Sequence, residues 1–125
     1  MTADSLIHRL RGEELGSVIF VRDYCQLNFD GPVLSCFTWP VISAGGDEWT
    51  IGRPGYRDQL CAFIGASVTG AQDDPAVGLV LAFGARSVVV NPRPEELVGP
   101  EIAMVQLPSG EWDVWRPGES TFSEL

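Results

Sequence analysis

Tyr24-Cys25-Gln26-Leu27-Asn28-Phe29-Asp30-Gly31-Pro32-Val33-Leu34-Ser35-Cys36-Phe37-Thr38-Trp39 is a pair of strand-like runs around an Asp-Gly dipeptide. Asp-Gly between alternating apolar residues is a strong short-range hairpin signal, because both positions tolerate the positive φ of the turn that matches strand twist. A two-residue loop at Asp30-Gly31 sets Leu27 opposite Leu34 and Cys25 opposite Cys36. All four then share one face with Phe29, and that face is a candidate core. Pro32 cannot donate a ladder hydrogen bond, so it loosens the register without removing the hairpin. Strand side chains alternate, so Tyr24, Phe37, Trp39 and Trp49 cannot all share the face of Cys25 and Leu27. Either a second layer covers that other face or a partner does.

Working outward, residues 4–11 read as a short helix capped by Asp4, with Leu6, Ile7 and Leu10 on one face. Ser17–Phe29 is strand-like and is interrupted at Arg22-Asp23. Val41-Ile42 and Trp49–Ile51 flank the Ala44-Gly45-Gly46-Asp47 turn. A second helix is expected over 56–64, with Tyr56, Leu60, Phe63 and Ile64 on its apolar face. Strands follow around 67–71, 77–83 and 86–91, with a turn at Asp73-Asp74-Pro75 and a junction at Gly84-Ala85. A last hairpin forms from 102–107 and 111–115 around Pro108-Ser109-Gly110. Leu27-Asn28-Phe29 and Leu81-Ala82-Phe83 hold similar places in the two halves. The pattern predicts an α+β domain over 1–125, mainly antiparallel β-meanders with two short helices. It also suggests a duplicated helix–meander unit as an internal repeat, 4–51 and 56–115.

The composition narrows the chemistry. The 125-residue chain carries a formal charge of -9, and all eight of its basic residues are arginine. The lack of lysine removes Schiff-base, lysine-base and P-loop chemistry. The acidity disfavours a phosphate backbone as partner and favours a basic protein. No apolar run is long enough for a spanning helix, and no basic-then-apolar leader is visible. No membrane and no nucleic acid are therefore expected, with the cytoplasm as the default address.

Three further blocks stand out: Phe20-Val21-Arg22-Asp23-Tyr24-Cys25-Gln26-Leu27-Asn28-Phe29-Asp30-Gly31-Pro32, Gly55-Tyr56-Arg57-Asp58-Gln59-Leu60-Cys61 and Val98-Gly99-Pro100-Glu101, with Asp113-Val114-Trp115 near the end. Together they resemble a family of small uncharacterised bacterial proteins across about 20–115. That family has no established activity, so the resemblance implies no catalytic residue. By analogy it implies an immunity- or interaction-type protein.

Constellations for catalysis are sparse. His8 is the only histidine, and no GxSxG context accompanies it. Cys25, Cys36 and Cys61 lack CxxC spacing and read as reduced core thiols rather than zinc ligands. The acid pairs Glu13-Glu14, Asp47-Glu48, Asp73-Asp74 and Glu95-Glu96 read as turn or helix-end residues. Arg22-Asp23 and Arg57-Asp58 suggest an ion pair locking strand to helix, or an arginine that holds a ligand carboxylate. No catalytic residue, cofactor or metal is assigned, and the reading favours a non-enzymatic acidic protein-binding module, immunity- or antitoxin-like in form. Its candidate partner-binding residues are Arg22, Tyr24, Trp39, Arg57, Asp73, Asp74, Glu95 and Glu96. The alternatives are a small-molecule domain or small enzyme with a pocket near Arg22 and Arg57, and a homodimeric structural protein.

Overall fold

The computed structural model describes residues 5–125. Its strands are β1 (Ser17–Phe20), β2 (Cys25–Asn28), β3 (Val33–Cys36), β4 (Val41–Ala44), β5 (Asp47–Trp49), β6 (Gly70–Asp74), β7 (Gly78–Phe83), β8 (Arg86–Val90), β9 (Ala103–Gln106) and β10 (Trp112–Trp115). They form two antiparallel five-stranded sheets, ordered β1-β2-β3-β9-β10 and β5-β4-β8-β7-β6. One α-helix, α1 (Tyr56–Cys61), joins the two halves of the chain.

This architecture corrects the α+β expectation with two short helices. The first expected helix is a single 3-10 stretch, Leu6–Leu10, with no side-chain cap from Ser5. Asp4, the expected cap, lies outside the described residues. Five residues cannot offset the cost of nucleating an α-helix. The stretch is held instead by burial, since Ile7 and Leu10 are fully enclosed. The second helix stops at Cys61 in tight turns such as Phe63 N–H to Leu60 O, and Ile64 is left 46% exposed rather than on the packed face.

The two stretches compared as a repeat each run from a short helical segment into a three-stranded meander and then a hairpin, the first opening on the 3-10 stretch and the second on α1. Residues 4–51 and 56–115 are not two closed units. Each contributes three meander strands to one sheet and a hairpin to the other. The chain therefore crosses between sheets twice, at 37–40 and at 91–102. The segments after Leu10 and after α1 lie side by side, where Gly12 N–H donates to Val68 O and Val68 N–H to Glu13 O.

The Asp30-Gly31 hairpin forms in the expected register, with Cys25 opposite Cys36 and Leu27 opposite Leu34. Asp30 takes φ 58° and Gly31 φ 149° to make the turn. Phe29 N–H donates to Pro32 O, while the reciprocal bond is missing because Pro32 has no N–H. The Asn28 side chain supports the turn by accepting from Asp30 N–H at 3.0 Å. Leu27, Leu34 and Val105 of the first sheet join Ile42, Leu81 and Val88 of the second in one buried cluster.

The expected turn at Asp73-Asp74-Pro75 is displaced. Asp73 and Asp74 belong to β6, opposite Leu79 and Gly78. Ladder pairing with the strongly apolar β7 overrides the low strand propensity of aspartate. Among the described residues no helix is long and apolar enough to cross a membrane.

Candidate functional site

On the first sheet the cross-strand row Ile19–Gln26–Ser35–Met104–Val114 points away from the core, as does Ser17–Asn28–Val33–Gln106–Trp112. None of these residues is ionisable. The positions between them, such as Leu27, Leu34 and Val105, are buried, so the outward direction follows from strand alternation. Ser35, at the centre of this face, is enclosed by its neighbours, so the open part of the face lies toward its edges. Ile19 and Trp112 are exposed on its two edge strands, Trp112 by 60%. Asp30 and Glu111 lie in exposed turns at one end of the face, with Asp23 and Glu101 at the other.

The second feature is a cleft of about 550 Å³ where the two crossovers meet. Its polar lining is Thr38, Thr50, Asn91, Arg93 and Glu96, beside the Trp39 indole. Val41, Ile51 and Val98 supply the apolar wall. The crossover rim is fixed by Glu96, whose carboxylate accepts from Arg93 Nε at 2.8 Å and from Arg93 N–H at 3.4 Å. That contact raises the Arg93 pKa, with the Glu95 carboxylate adding to it. Thr38 is only 2% exposed, and its hydroxyl is buried with no hydrogen-bond partner. Buried hydroxyls are almost always paired, so this one is anomalous.

The eight residues expected to bind a partner do not form one surface. Tyr24 sits at the end of the first sheet's outer face against Phe37, ring centroids 5.7 Å apart. Those two rings line a shallow apolar hollow of about 150 Å³ with Val98 and Pro100. Trp39 leaves the strand alternation because the chain is crossing between sheets, and it packs between Phe20 and Tyr56. Glu96 joins Trp39 at the cleft, while Glu95 pairs with Arg93 on the exposed rim. Asp73 and Asp74 are engaged locally. Trp115 Nε1 donates to Asp73 at 3.2 Å, tying edge strand β10 to edge strand β6 of the other sheet. Asp74 accepts from Ala76 N–H at 2.8 Å.

Arg22 and Arg57 do not make the expected lock. Both are exposed, and among the described residues neither Arg22-Asp23 nor Arg57-Asp58 contributes an ion pair. Arg57 lies 5.7 Å from the Phe20 ring centroid, and Arg53, at 3.5 Å, covers the Trp49 ring. Arg22, in the β1–β2 turn, and Arg57, on the first turn of α1, are both exposed, so water competes for both charges. Arg57 and Arg53 share an open hollow of about 270 Å³ at the start of α1, and Arg22 is not part of it.

Three buried titratable groups cluster in the core. Cys25 and Cys36 are free and buried. The Cys25 thiol, and then burial, push the Cys36 thiol up. Burial, reinforced by both thiols, raises the Tyr56 phenol, whose hydroxyl donates to the Pro40 carbonyl. A thiol or phenol held in its neutral form is a packing element rather than a nucleophile. Among the described residues no group of His, Cys, Asp or Glu is arranged to hold a metal ion.

No family model, curated protein or solved structure matches the chain. Function is therefore argued from these surfaces. Sequence reasoning missed Trp112, Thr38 and Asn91. The signal for Trp112 was strand alternation against Asp113 and Trp115, which flips its ring outward.

Proposed function

We propose that this chain is a non-enzymatic module that binds a basic protein through the uncharged outer face of its first sheet. The carrying observation is that Trp112 stands 60% exposed on a ten-residue face without a single charge, in a chain of net charge -9. An apolar and neutral face with a large exposed aromatic is a typical contact core, and the acidic turns of Asp30 and Glu111 at one end steer a cationic partner. An immunity- or antitoxin-like role, occluding a basic protein, is the form this reading takes.

The test is retention of partners on immobilised protein at low and moderate salt, comparing wild type with Trp112→Ala and with the pair Asp30→Lys and Glu111→Lys. A basic protein whose affinity falls at least ~10-fold in Trp112→Ala, with urea midpoints unchanged, supports the proposal. The charge reversals should slow association and flatten the salt dependence. A partner indifferent to Trp112 defeats the reading. Sedimentation that shows a second copy of the chain on this face replaces it with a homodimer.

A further inference from the structure

The cleft at the two crossovers is independent of that face and has its own chemistry. It is built from segments far apart in the chain: Thr38 and Trp39 from the first crossover, Thr50 from the end of β5, and Asn91 with Arg93 and Glu96 from the second crossover. Its volume of about 550 Å³ lies inside the ~300–1,000 Å³ range of small-molecule sites. The Thr50 hydroxyl and the Asn91 carboxamide offer donors and acceptors beside a wall of indole and aliphatic side chains. The one cation that lines it, Arg93, is already held by Glu96, so the lining carries no net charge. The overall charge of -9 further disfavours an anion.

Thr38 is the second, independent observation. A buried hydroxyl without a partner costs stability, and its persistence calls for an occupant that pairs with it. Thr38 lines the cleft although its hydroxyl oxygen is out of contact with solvent. For a ligand to reach the hydroxyl its χ1 has to turn, which breaks no protein hydrogen bond. We infer that this cleft binds a neutral, hydroxyl-rich small molecule of mono- or disaccharide size, with the Thr38 hydroxyl as one hydrogen-bond partner.

The test is a titration of the full chain with glucose, N-acetylglucosamine and maltose, each to about 20 mM, a ceiling that covers millimolar Kd values. Inorganic phosphate and methylammonium serve as charged comparators, and backbone amide NMR signals are the readout. At least one sugar should shift Thr38, Val41 and Asn91 while leaving Gln26 and Gln106 on the first sheet in place. Thr38→Val keeps the shape and should weaken that binding about 5- to 10-fold, the loss of one hydrogen bond. Asn91→Ala, an exposed position, should weaken it by a similar factor with no change in fold. The inference is overturned if no sugar shifts the cleft, or if phosphate or methylammonium does so instead. It is equally overturned if Thr38→Val binds as wild type does, or if the hydroxyl proves to hold an enclosed water only.

Discussion

Replacing Thr38 by valine should make the protein more stable, which is unusual for a change at a buried position. Thr38 is 2% exposed and its hydroxyl has no partner, so folding strips water from that group with no bond in return. That penalty is about 1–3 kcal/mol, and valine, near in shape, removes it while retaining the methyl packing. Allowing for imperfect relaxation, the expected gain is about 1–2 kcal/mol, or roughly 4–8 °C in Tm for a chain of this size. Ser35 supplies the opposite case on β3, the strand that leads into the Thr38 crossover. It is 1% exposed, but its hydroxyl accepts from Gln26 Nε2 at 3.1 Å. Ser35→Ala should cost about 1 kcal/mol, because it leaves the Gln26 amide short of an acceptor. Urea unfolding followed by tryptophan fluorescence measures both, with midpoints compared at unchanged m. A Thr38→Val variant less stable than wild type would refute the reasoning, since it would mean that the hydroxyl is already paired.

Gly78 has φ 91° and an added Cβ would sit 2.3 Å from the Val90 carbonyl oxygen, whereas Gly84, at φ 69°, has open space around it. Gly78→Ala should therefore cost about 3–4 kcal/mol and Gly84→Ala about 1 kcal/mol, and equal urea midpoints for the two would count against the strand geometry. Trp115→Phe removes the bond to Asp73 that ties the two sheets at their edges, with an expected loss of about 1.5–3 kcal/mol by the same assay. The raised Tyr56 and Cys36 pKa values have a definite sign, because their folded states resist ionisation that the unfolded chain undergoes. Their contribution is complete below the unfolded values near 9 and 10 and is lost as pH rises above them. Stability should fall above about pH 9–10, and Tyr56→Phe should flatten that fall, as read from urea midpoints across pH 8–11.

The hairpins were legible because each is a local problem. Asp30-Gly31, Gly45-Gly46 and Ser109-Gly110 are turn chemistry between short apolar runs, and alternation then decides which side chains are buried. What the residues did not reveal was where each hairpin goes. Val41–Trp49 reads equally well as a continuation of its own meander, yet it adds to the sheet built by β7 and β8. That choice is made by long-range burial, Ile42 against Val88 and Leu81, and no local spacing encodes it. The helix at 4–11 failed for a related reason. Leu6, Ile7 and Leu10 carry helical spacing, but two enclosed side chains are served as well by one 3-10 turn.

The site was less legible than the fold, and the charges explain why. The acids singled out as binding residues are the ones that carry structural bonds: Asp73 to Trp115, Asp74 to its own turn, and Glu95 and Glu96 to Arg93. Sequence marks where charge is abundant, whereas binding capacity depends on where it is spent. The uncharged first-sheet face emerges only when five strands from both halves of the chain are set in register. The cleft requires residues from 38 to 98 to converge at the two crossovers. Thr38 carries this furthest. In the sequence it is an unremarked hydroxyl between Phe37 and Trp39, and only the lack of any partner for its oxygen turns it into a question about a ligand. A stability gain in Thr38→Val together with a loss of sugar binding would join the two halves of that answer, since a group kept at a cost to folding should be one that the bound state uses.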